Sequence, residues 1–115
     1  MRNFIKSFRY AFEGILHAIK TERNFKLHLI ATVIVITSGL VTGLEFVEWY
    51  IIIILIGGML ALELLNSAIE RAVNLVTLER LPLAKHVKDL AAGAVLVFAI
   101  TSAIIGLFIF LPKWI

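Results

Sequence analysis

The chain has no cysteine and only two prolines among 115 residues. The first absence excludes disulfides, thiolate nucleophiles and cysteine-based metal sites, and is silent on compartment. Basic residues are also scarce: eleven Lys and Arg, most flanking apolar runs, argue against a nucleic-acid partner. The opening MRNFIKSFRYAFEGILHAIK is broken by charge every few residues and has no apolar h-region, so no cleavable signal peptide is expected. Internal repeats, low-complexity tracts and linkers are missing as well, and the expected organisation is one domain over 1–115.

Apolar residues, by contrast, are abundant. They make up 61% of the chain, and the mean hydropathy is +1.00, far above a soluble domain. Residues 3–20 step Phe4, Phe8, Phe12, Ile15 and Ile19 along one side, with Arg2, Lys6, Arg9, Glu13, His17 and Lys20 elsewhere. That pattern predicts an amphipathic helix lying in the headgroup region. TERNFKLHL, 21–29, reads as a charged turn leading into a span over about 25–44. A short connection at Gly43-Leu44-Glu45 precedes a second span over about 46–76, with Trp49 and Tyr50 as interfacial anchors. TLERLPLAKHVK, 77–88, reads as a polar connection, since Pro82 cannot lie inside a helix. A third span over about 88–111 has no charge from Leu90 to Leu111, and Pro112 and Trp114 close it. The glycines at 57 and 58 and the AAGA run at 91–94 suggest close helix packing. The fold expected is therefore an all-α integral membrane protein: a surface helix plus three transmembrane helices.

Charge sets the orientation. Six Lys and Arg precede Leu27 and four more lie between Arg71 and Lys88, against Lys113 alone at the other end. The positive-inside rule then puts the N-terminus and the 77–88 connection on the cytoplasmic side of a cell membrane.

The unusual stretch is MLALELLNSAIERAVNLV, 59–76. Glu63, Asn66, Glu70 and Asn74 fall within roughly 80° of one helix face at about 100° per residue. Glu63 lies about 21 Å along the helix from Trp49, deep within a hydrocarbon core of ~30 Å. A charge at that depth costs roughly 2.5 kcal/mol or more, so its presence demands a role. Glu22, Arg23, Lys26, Lys88 and Asp89 belong to the same end of the molecule, and no deep polar group lies towards the other. A cluster that does not cross the bilayer suits a site for one soluble and one lipid reactant better than a pore or transporter.

The residue types fit metal-assisted phosphoryl transfer to an alcohol. Glu22 and Glu70 are hard oxygen ligands for a divalent cation shared with phosphates. Glu63 suits a general base, Lys88 a point charge for phosphate with Asp89 orienting it or contacting a second group, and Asn66 a hydrogen bond to a phosphate oxygen or to Glu63. A non-catalytic scaffold remains open, in which Glu63 and Glu70 pair with Lys88 and Arg71 to hold the spans together. His17 and His86 read as interfacial residues, and His28 as a hydrogen-bonding residue within the bundle. No GxxxxGK[ST] is present, nor a protein-kinase glycine loop or DFG.

ELLNSAIERAVN at 63–74, followed by KDLAAGAVLV at 88–97, resembles the prokaryotic diacylglycerol kinase/undecaprenol kinase family of small membrane lipid kinases. The resemblance covers nearly the whole chain, TERNF at 21–25 included. It implies a homotrimer with active sites shared between neighbouring chains, ATP with Mg2+ as donor, and a membrane lipid alcohol as acceptor. By position it implies Glu63 as catalytic base and Glu22 and Glu70 as metal ligands. Tyr10, Glu22, Glu70, Glu79, Lys88 and Asp89 match nucleotide-binding positions, and Asn66 the polar residue beside the base. The region 8–28 and the groove between spans would take the lipid. TERNFKLHL looks closer to the Gram-positive branch, which favours undecaprenol, with diacylglycerol as the alternative acceptor. One departure is visible: the family usually carries Asp where Asn74 stands.

Overall fold

A computed structural model describes residues 2–115, except that the side chain of Arg2, placed above on the polar face, lies outside the described residues. It is all helical: α1 (Arg2–Thr21), α2 (Arg23–Thr42), α3 (Phe46–Val76) and α4 (Pro82–Trp114). α2, α3 and α4 are long and apolar enough to cross a membrane.

The aromatic stripe of α1 faces outward. Phe4, Phe8 and Phe12 are all exposed, and Phe4 and Phe8 meet edge to face at 4.9 Å. Arg9 and Glu13 pair one turn apart at 3.2 Å on the polar side. The predicted turn over 21–29 shrinks to one residue. Glu22 is extended (φ −101°, ψ 111°), and RNFKLHL is already helix. Charge alone does not oppose helix formation, and that segment has neither Gly nor Pro.

The α2–α3 connection follows the expected residues. Gly43 takes φ +79°, which favours glycine, and its N–H donates to the Gly39 carbonyl at 2.9 Å. Glu45 and Glu48 cap α3 reciprocally, the Glu45 N–H donating to Glu48 Oε1 at 3.0 Å. Lys113 meets Glu48 at 3.0 Å, and the Trp114 indole donates to Thr42 Oγ1 at 2.8 Å. These contacts tie all three long helices together at the end opposite α1.

Two boundaries of α4 differ from the sequence reading. The connection before it is only 77–81, because Pro82 occupies the first helical turn, where its missing N–H costs nothing. Pro112 lies inside the helix and does not end it. In the final turn the loss of one bond is tolerated, and the Ile115 N–H closes the helix on the Leu111 carbonyl at 3.1 Å.

α3 and α4 pack most extensively, α2 lies against both, and α1 contacts α2. Gly58 sets the α3–α4 approach: a Cβ there would stand 2.5 Å from Phe98 Cζ. A Cβ at Gly57 or at Gly93 would meet nothing within 4 Å, and Ala92 and Ala94 of the AAGA run are exposed. The buried core of Ile52, Ile109 and Phe110 lies in the half of the bundle away from α1. α3 has 31 residues. At 1.5 Å per residue it is about 46 Å long against a ~30 Å hydrocarbon core. Its final two turns carry Glu70 and Asn74.

Candidate functional site

The helix face predicted from 63 to 74 is graded along its length. Glu63 is buried, Asn66 is half-buried, and Glu70 and Asn74 are exposed. The Glu63 side chain is 4% exposed, and Oε2 lies 3.4 Å from Nε2 of His28, whose side chain is 28% exposed. Each sits on the inner side of its helix, His28 just over one turn into α2. The expectation for His28 is a hydrogen bond within the bundle; the structure brings its imidazole close to Glu63.

Glu22 stands at the break between α1 and α2, and its carboxylate accepts from Arg71 Nη2 at 2.5 Å. The same nitrogen donates to Thr21 Oγ1 at 3.2 Å, so Arg71 spans from α3 to the α1–α2 junction. Glu22 and Arg71 edge a cleft of about 440 Å³ between α1 and α3, floored by Gly14, Ala18, Leu64 and Ser67. A second cavity, of about 300 Å³, begins at His28 and runs among α2, α3 and α4 past Thr32, Met59 and Ala99 towards Phe110. Its walls are apolar apart from His28 and the hydroxyls of Thr32 and Ser102. Thr32 donates to the His28 carbonyl at 2.7 Å, while Ser102 Oγ is buried without a partner.

The basic groups pair differently from the sequence expectation. Lys88 Nζ donates to Asn74 Oδ1 at 2.7 Å. Asp89 does not orient Lys88; it pairs with Lys85 at 2.5 Å, one turn away on α4. Glu63 and Glu70 do not pair with Lys88 and Arg71: Glu63 faces His28, Arg71 is engaged by Glu22, and Glu70 makes no ion pair among the described residues. Tyr10 and Glu79 are exposed, on α1 and on the 77–81 connection respectively.

Among the described residues no three His, Asp or Glu side chains stand close enough together to hold a metal ion unaided. Magnesium does not need that, since it is commonly held through one or two carboxylates with substrate phosphates completing its shell. Of the two carboxylates expected to hold it, Glu22 is half-buried and Glu70 is open to solvent. His28 and Arg71 are the two residues whose partners, Glu63 and Glu22, the sequence did not reveal. The signal for Arg71 was its place one residue after Glu70. For His28 it was an imidazole just inside a span that also had to accommodate Glu63.

Three membrane-capable helices and a fourth amphipathic one, with an ionisable cluster at one end, define a small all-helical membrane protein. The chain belongs to the prokaryotic diacylglycerol kinase family, a family of lipid kinases; the family's sequence model matches residues 9–110. It is 54% identical to an undecaprenol kinase of Bacillus subtilis over 113 residues, 98% of this chain and 92% of that protein. A diacylglycerol kinase of Synechocystis is 40% identical over 96% of this chain, which spans 63% of that longer protein. A diacylglycerol kinase of Pseudomonas aeruginosa is 32% identical over 82% of this chain and 76% of its own length. The resemblance carried by ELLNSAIERAVN and KDLAAGAVLV is thereby borne out, and membership of a lipid-kinase family sets aside the non-catalytic scaffold.

Proposed function

We propose that this protein transfers the γ-phosphate of ATP to the hydroxyl of undecaprenol, in a Mg2+-dependent reaction at the cytoplasmic face of the cell membrane. The observation that carries the proposal is Glu63, a carboxylate buried beside the lipid-facing bundle and at the same end as Glu22, Glu70 and Lys88. The 54% identity to an undecaprenol kinase supports that acceptor over diacylglycerol. Diacylglycerol is the second reading, favoured by the names of the relatives at 40% and 32% identity.

Glu63 accepts the proton of the acceptor hydroxyl as its oxygen attacks phosphorus. Half-buried Asn66, just under one turn along, hydrogen-bonds a phosphate oxygen or steadies Glu63. Lys88 places its ammonium against the phosphates, and Asn74 holds it there without cancelling its charge. Tyr10, Glu79 and Asp89 contact the nucleotide from exposed positions. Glu22 and Glu70 would hold the metal ion, which neutralises phosphate charge when bound. The apolar cavity from His28 towards Phe110 supports entry of the acceptor's chain between the helices, with the hydroxyl at the Glu63 end.

Within one chain the site residues are spread over several faces, and the small residues Ala92 and Ala94 of the AAGA run are exposed. Both features support a homotrimer in which a neighbouring chain completes each site. Transfer of labelled γ-phosphate from ATP to undecaprenol in detergent, by the parent chain and by Glu63→Gln, tests the proposal. Incorporation by the parent and none by the variant is expected; no incorporation by either overturns it.

A further inference from the structure

A general base ends each turnover protonated, and one shut off from water must pass that proton on. Glu63 is in this position, with a side chain only 4% exposed. Among the described residues His28 is the one basic group within 4 Å of its carboxylate, and the histidine is 28% exposed. The other charges nearby are engaged or turned away. At the α1–α2 junction Glu22 is taken by Arg71, and on α1 His17 lines the separate cleft beside them. On α2 itself Lys26 is exposed. On α3 Glu70 is exposed, two turns from Glu63. From α4 the cavity at His28 is walled by Ala99, Ser102 and Ala103, none of which titrates. His28 thus stands beside a buried carboxylate while its own side chain is partly exposed.

We propose that His28 is a positioning residue for Glu63 and the first stop of the proton that Glu63 removes, an inference resting on Glu63 being the base. The acceptor O–H bond breaks and its proton goes to Glu63 Oε2. The acceptor oxygen bonds to the γ-phosphorus, and the bond from that phosphorus to the bridging oxygen breaks, its electron pair leaving with ADP. Protonated Glu63 then donates to the bare Nε2 of neutral His28, and the imidazolium releases its Nδ1 proton to water. Proton exchange with water restores the Nδ1–H tautomer, and Glu63 is again a carboxylate. The 3.4 Å separation is a few tenths of an ångström beyond an ordinary hydrogen bond. Catalytic contacts of this kind tighten when substrate closes the site.

The test compares parent, His28→Gln, His28→Ala and Glu63→Gln in detergent, with kcat, KM for ATP, the pH profile of kcat and thermal melting recorded for each. Glutamine keeps a hydrogen-bonding side chain but cannot relay a proton. His28→Gln should melt near the parent and keep its KM, lose about tenfold in kcat, and lose one ionisation from the pH profile. That loss is smaller than the 10²–10⁴-fold expected for removing the base itself. Added imidazole should restore turnover to His28→Ala and not to Glu63→Gln, a comparison that also carries the test if the glutamine variant does not fold. An inactive Glu63→Gln with a parental kcat and pH profile in His28→Gln overturns the relay alone. A lowered kcat with an unchanged profile and no imidazole rescue also overturns it, leaving only a packing role. A fully active Glu63→Gln overturns the base assignment and the relay together.

Discussion

Lys88 on α4 donates to Asn74 on α3 at 2.7 Å, so the lysine that faces the proposed phosphates is held by a neutral amide. With Asp at position 74, the same geometry would form an ion pair and take up part of the ammonium's charge. Asn74→Asp should therefore raise KM for ATP while leaving kcat near the parent. An exposed ion pair is worth about 0–1 kcal/mol, which limits the rise to about fivefold. Initial-rate kinetics at varied ATP check it, and an unchanged or lowered KM contradicts the role given to Asn74.

Glu63→Gln should lower kcat by about 10²–10⁴-fold, the range for loss of a general base. Folding should survive, since the amide is isosteric and can still hydrogen-bond His28. Turnover and thermal melting of the same preparation separate the two effects; retained turnover contradicts the assignment.

Glu22→Gln and Glu70→Gln should each raise the Mg2+ concentration needed for half-maximal rate. They differ in what else they disturb. Glu22 also binds Arg71, so its variant should lose a further ~0–1 kcal/mol of stability, whereas exposed Glu70 makes no ion pair among the described residues and should lose none. Magnesium titrations with paired melting curves provide the check. Parental Mg2+ dependence in both variants removes the metal role.

Gly58→Ala should destabilise the bundle by about 1–3 kcal/mol, the usual cost of overpacking a tight contact. Its new Cβ would fall 2.5 Å from Phe98 Cζ, forcing α3 and α4 apart. Gly57→Ala, which meets nothing within 4 Å, should be neutral or gain up to about 1 kcal/mol from helix propensity. Melting temperatures of the pair in one detergent decide between them.

The fold was legible because its signals were long. The phenylalanine stripe of α1, the charge-free runs and the Gly43 turn all act over whole helices or fix a backbone angle locally. What stayed hidden depended on the meeting of distant residues. The face of Glu63, Asn66, Glu70 and Asn74 could be read from helical periodicity, but the partner of each residue on it could not. His28 reaching Glu63, Arg71 reaching Glu22 and Lys88 reaching Asn74 all follow from how α2, α3 and α4 lie against one another. The start of α4 was placed late because LPLAKHVK is polar in composition yet helical in propensity, with Pro82 suited to a first turn.

The most direct measurement is phosphorylation by the parent chain with labelled ATP and Mg2+, undecaprenol and diacylglycerol being offered together in detergent. The label should enter undecaprenyl phosphate in preference to phosphatidic acid. Preferential labelling of phosphatidic acid would contradict the acceptor assigned here, and absence of label from every lipid would contradict the kinase reading of the Glu63 site.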